Sequence, residues 1–169
     1  MRDTDFLDIF PVRSQSWRQR VRAFTLVELL LTVAILGTLS AIAVPIYTNY
    51  LDQQKNSTAI ADIRKIEAGI VGFQAERGTF PNSLDQVGFA DLLDPWGHPY
   101  EYTRIEGLSK HDMDAKCRWD KNEKPLNYDF DLYSMGKDGQ TKPKITAKES
   151  HDDIIRANGG AYVGLASEY

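Results

Sequence analysis

Between Phe24 and Tyr47 the chain reads FTLVELLLTVAILGTLSAIAVPIY, a run whose one charged side chain is Glu28. About 20 apolar residues in a helix cross a hydrocarbon core of about 30 Å, so residues 24–47 are long enough to span a membrane. The flanks set the direction. Arg13, Arg18, Arg20 and Arg22 precede the run, whereas Asp52 comes before Lys55 beyond it. The positive-inside bias then holds residues 1–23 in the cytoplasm and places residues 48–169 across the membrane. A secretory signal peptide would put a shorter apolar region before a small-residue cleavage site; here the run is too long, and Pro45, Ile46 and Tyr47 end it. What remains is a single-pass anchor with two features an anchor does not need. An acidic side chain such as Glu28 is costly inside an apolar helix and is retained where a partner compensates it. Pro45 removes a backbone hydrogen bond and crowds the preceding turn, so it either ends the membrane helix or is tolerated within it.

Charge narrows the function classes. The 169 residues carry 20 Lys and Arg against 24 Asp and Glu, a formal charge of −4, and no basic patch predicts a nucleic-acid partner. Residues 1–23 hold five Arg and three Asp, so the sequence beyond them is the acidic part. Its length suits one domain of ordinary size. A single Cys117 excludes an intrachain disulfide and a Cys-rich metal site. It reads as a half-buried or surface residue of a polar loop, or else as a thiol paired with His98, His111 or His151. Those four residues show neither metal-ligand nor triad spacing, and an enzyme is not expected.

Beyond Pro45 the pattern becomes amphipathic. Ile60, Ile63, Ile66, Ile70 and Phe73 recur at steps of three and four, while Asp62, Arg64, Lys65, Glu67, Gln74 and Glu76 take the other face. The spacing predicts a helix from Thr25 to Arg77, roughly 80 Å if unbroken, capped by Gly78 and stopped by Pro81. Residues 99–105 and 126–133 alternate large and polar side chains and read as half-buried strands. Residues 106–124 form a long polar connection, a loop or lid, and no repeat or Gly/Ser-rich linker divides the rest. The expected fold class is α+β: one long N-terminal helix, transmembrane then amphipathic, packed on a small antiparallel sheet with a C-terminal loop region.

The stretch Arg22-Ala23-Phe24-Thr25-Leu26-Val27-Glu28 resembles the processing signal of type IV pilins and pseudopilins, in which a small residue precedes Phe and a Glu stands fifth in the mature chain. The resemblance implies cleavage between Ala23 and Phe24 by a prepilin peptidase and methylation of the new Phe24 amine. The family usually has Gly where this chain has Ala23. Glu28 would pair with the Phe24 amine of a neighbouring subunit, and Pro45 stands where the family also carries a proline. Two further stretches, Leu93-Asp94-Pro95-Trp96-Gly97-His98-Pro99-Tyr100-Glu101-Tyr102 and Asp131-Leu132-Tyr133-Ser134-Met135-Gly136-Lys137-Asp138-Gly139, are similar to signature segments of the G-type major pseudopilin of type II secretion systems. Each is also ordinary turn chemistry when taken alone.

That family binds calcium in its C-terminal loop, which would answer what replaces a disulfide. Calcium takes about six to eight oxygens from carboxylates and carbonyls. The resemblance points to Asp138, Asp152 and Asp153, with backbone carbonyls of Leu132 and Ser134 as further donors; otherwise these aspartates are solvated turn residues. The family loop is short and Gly-rich, whereas here residues 140–151 insert a basic stretch with Lys142, Lys144 and Lys148. The resemblance further implies a homo-oligomeric helical filament assembled from the inner membrane. Minor pseudopilins, a secretion ATPase, an inner-membrane platform protein and an outer-membrane secretin would be its partners, with residues 48–169 in the periplasm. Two other readings stand beside the pseudopilus subunit: a major or minor type IV pilus subunit, and a monomeric membrane-tethered binding protein.

Overall fold

The computed structural model describes residues 23–169, so the leader expected over residues 1–23 lies, but for Ala23, outside the described residues. The chain divides into two compact units at Ala43/Val44. A helix, α1 (Leu26–Arg77), holds Pro45 within its span, not at its end. Up to Ala43 its large apolar side chains are exposed, with Leu30, Leu36 and Leu39 all open. Among the described residues α1 is the one helix long and apolar enough to cross a membrane. Gly78 ends it at φ 74°, donating its N–H to the Gln74 carbonyl at 2.8 Å, which is the left-handed stop expected of a glycine there.

In the second unit, four strands form an antiparallel sheet in the order β1 (Glu101–Arg104), β2 (Phe130–Ser134), β3 (Ile154–Ala157) and β4 (Tyr162–Leu165). Tyr102 stands opposite Leu132, Tyr133 opposite Ile155, and Arg156 opposite Val163. Ala59, Ile63, Ile66 and Ile70 of α1 are fully buried against Tyr100, Phe130, Leu132 and Ile154. The predicted stripe is therefore core, with Ala59 in and Ile60 and Phe73 only half-buried. Each buried Ile contributes on the order of 1.5–3 kcal/mol.

Four expectations need correction. The sheet has two strands, β3 and β4, that were not anticipated: Ile154 and Ile155 alternate across it, one into the helix-facing core and the other into a second cluster with Leu126, Ile145, Ala157 and Ala166. Strand β2 starts only at Phe130, because Leu126 donates its N–H to Arg118 and the Asn127 amide turns inward to Asp131 and the Arg156 carbonyl. The connection over residues 106–124 contains a short helix, α2 (Lys110–Lys116), whose first turn is capped by the Ser109 hydroxyl accepting from the Asp112 N–H. Cys117, at the end of α2, is buried, not half-buried or at the surface, and burial raises its thiol pKa to about 11, with Asp131 and Asp114 adding to the shift.

Candidate functional site

The N-terminal junction is built by a capping box. Thr25 donates its N–H and its hydroxyl to Glu28 Oε2 at 2.9 and 2.8 Å, and the Glu28 N–H returns a bond to Thr25 Oγ1 at 3.1 Å. This is the reciprocal pattern of a Thr and a Glu three residues apart at a helix start. Glu28 therefore lies in the first turn, not deep in the helix, where the helix dipole also favours a carboxylate. Thr25-Leu26-Val27-Glu28 carries the signal for this box in plain sequence, yet the apolar surroundings draw attention to burial cost first. Ala23 and Phe24 precede the helix, and both are exposed. The bond between Ala23 and Phe24, where cleavage is expected, and the Glu28 carboxylate thus share one accessible helix start.

The second candidate region joins the two signature stretches. Asp94 is buried; its Oδ1 accepts from the Trp96 and His98 N–H groups at 3.0 and 2.9 Å, and its Oδ2 accepts from the Ser134 hydroxyl at 2.5 Å. Ser134 Oγ in turn accepts from the Gly136 N–H, and the His98 ring reaches the Gly136 carbonyl at 3.1 Å. The aspartate shapes its own turn and ties that turn to the end of β2. At Gly136, φ is 66° and a side chain would run into the Asp152 backbone, so glycine is required there.

The residues expected to hold calcium are spread differently. Asp138 Oδ1 accepts from the Gln140 N–H, and Asp152 Oδ2 accepts from the Asp138 N–H. Asp153 is fully buried, and its Oδ2 is held by Arg118 at 2.5 Å and by the Thr141 hydroxyl at 2.6 Å. Burial pushes the Asp153 carboxyl above the usual range, and Arg118 pulls it part of the way back. Leu132 and Ser134 lie within β2, opposite Tyr102 and Ile154. Among the described residues, no three His, Cys, Asp or Glu side chains gather around one cation position. This donor set does not fit a calcium cage as it stands, because a guanidinium already sits on its one buried carboxylate.

A buried arginine that sequence reasoning missed ties α1 to the sheet. Arg156 donates through Nε to Glu67 at 2.7 Å and through both terminal nitrogens to Asp129 at 2.9 and 2.6 Å, with its guanidinium 4.0 Å from the Phe130 ring centre. Nothing in the local pattern distinguishes Arg156 from a surface arginine; only its place in an unforeseen central strand does.

The description "Prokaryotic N-terminal methylation motif" matches residues 18–44, a span that contains Ala23, Phe24 and Glu28. Among curated proteins, the type II secretion system core protein G of Pseudomonas aeruginosa is 28% identical over 73% of this chain and 88% of its own length. The core protein G of Xanthomonas campestris pv. campestris is 26% identical over 69% and 78%. The type IV major pilin protein PilE of Neisseria gonorrhoeae is 23% identical over 81% and 83%. No solved structure matches. The methylation motif over a capped apolar helix, followed by a helix-on-sheet domain in the part that aligns with both kinds of filament protein, makes this chain similar to the type IV pilin-like proteins, pilins and pseudopilins alike.

Proposed function

We propose that the chain is the major subunit of a type II secretion pseudopilus: cleaved after Ala23, methylated on Phe24, held in the inner membrane with residues 48–169 in the periplasm, then drawn into a helical filament that drives protein export. The observation that carries this reading is the lock between the two signature stretches, where Asp94 and His98 bind Ser134 and Gly136. Turn sequences that arise independently have no reason to form one buried network. In the filament, Glu28 would exchange part of its bonding to Thr25 for the Phe24 amine of the next subunit. That ion pair gains strength in the apolar helix bundle, where the dielectric is low. The prepilin peptidase, platform protein, secretion ATPase, minor pseudopilins and secretin are the partners this assembly requires.

The alternative, a type IV pilus subunit, is favoured by the likeness to PilE over most of both chains. A strain lacking this chain separates the two. Loss of exoprotein secretion with surface fibres intact supports the pseudopilus. Loss of surface fibres with secretion intact replaces it with the pilus.

A further inference from the structure

The long polar connection over residues 106–124 and the lengthened loop over residues 140–151, where the chain departs from the resemblance, are bound to each other. Trp119 donates its N–H to the Pro143 carbonyl at 2.9 Å and accepts from the Ile145 N–H at 3.1 Å, a short parallel pairing with the loop. Lys144 lies over the Trp119 ring. That pairing delivers the preceding residue, Arg118, inward, where it is 3% exposed.

Inside, the Arg118 guanidinium meets a buried carboxylate, a hydroxyl and an aromatic face. One terminal nitrogen reaches Asp153 at 2.5 Å and the other reaches Thr141 Oγ1 at 2.8 Å, while the guanidinium lies 4.1 Å from the Tyr133 ring centre. Its backbone N–H donates to buried Asp131 at 2.7 Å. Thr141, whose hydroxyl donates to Asp153, and Ser150, which binds both the N–H and the carbonyl of Lys142, fold the loop around the same point. Among the described residues, Asp153 Oδ1 and Arg118 Nε are the two side-chain atoms of this cluster without a hydrogen-bond partner, and one free oxygen of one carboxylate is not a calcium shell.

We propose that the Arg118 guanidinium is the cation of this loop: it pins the C-terminal loop to β2 from inside, as bound calcium would, and makes the folded domain independent of calcium. An arginine is charged at every pH the protein meets, so the closure needs no ion from the medium. The first segment supplies the cation and the second wraps it, which accounts for the lengthened loop.

The test is a thermal melt of the full chain in detergent, with millimolar calcium and again with a chelator. Coincident melts are expected. Arg118→Met should lower Tm by on the order of 10 °C in both conditions, since it strands a buried carboxylate. Adding Asp153→Leu to it should recover most of that loss, because removing both charges costs far less than removing one. A calcium-dependent rise in the unmodified chain that Asp153→Asn abolishes would overturn the proposal, as would an Arg118→Met protein that melts like the parent. Should Arg118→Met not fold, the calcium comparison on the unmodified chain decides alone. None of these outcomes depends on whether the filament is a pilus or a pseudopilus.

Discussion

The first turn of α1 and the loop closed by Arg118 both place a carboxylate where water is scarce or due to be excluded, and they handle it in opposite ways. Asp153 is fully buried and meets its countercharge within the same chain. Glu28 stays exposed, on a helix whose apolar side chains up to Ala43 are equally exposed, and among the described residues its carboxylate meets Thr25 alone. A self-contained charge serves a domain that folds on its own contacts. An acidic group capped locally, on an apolar helix with no cover of its own, belongs to a surface completed by lipid or by other copies.

The largest effect that would sharpen this contrast is on assembly. Glu28→Ala should leave the melt of the second unit unchanged while filament yield in cells falls by tenfold or more; normal filament yield would show that the carboxylate serves only as a cap. Next is the link between α1 and the sheet. Arg156→Met leaves Glu67 and Asp129 without their cation and should cost about 3–5 kcal/mol in chemical denaturation of the full chain, whereas a loss under about 1 kcal/mol would place the strength of that junction in the isoleucine stripe alone.

A smaller effect concerns pH. Burial works to raise the Asp129 carboxyl, but its hydrogen bonds to Arg156 and the Phe130 N–H outweigh it, and the net shift is downward. Its contribution is therefore present above an unfolded value of about 3.9 and is lost as pH falls through its folded value. Asp153 and Asp131, both raised mainly by burial, have the opposite sign: their contribution is greatest below the unfolded value and is lost as pH rises through the folded one. Asp129→Asn should narrow the stability gap between the parent and the variant as the solution is taken from pH 6 to pH 3, as read by Tm. A gap that stays constant would remove Asp129 from the account. The smallest effect is expected at the exposed pair Lys137–Asp52, 2.8 Å apart at the surface, where Lys137→Ala should change stability by about 0–1 kcal/mol.

How much of this was legible in the sequence follows from the range of the interactions. The helix, its Gly78 stop and the Ile63, Ile66 and Ile70 stripe rest on spacing within a few turns, and periodicity reports such spacing directly. The capping box at Thr25 and Glu28 was equally local and could have been read. Strands β3 and β4 were not, because Ile154 and Ile155 face two different cores, so the segment shows no alternation of apolar and polar side chains. The environments of Arg118 and Arg156 were out of reach, since their partners lie 35 and 89 residues away and a buried arginine has the same local signature as a solvated one. The motif residues Asp94 and Ser134 could be singled out from a resemblance, but not the bond that joins them.

The most direct measurement is the mass and N-terminal sequence of the protein recovered from the membranes of cells that carry a prepilin peptidase. The expected product is a chain that starts at Phe24 with one methyl group on its amine, and an unprocessed chain in cells lacking the peptidase. A membrane-bound protein that keeps residues 1–23 in both strains, or is cut at another bond, would contradict it.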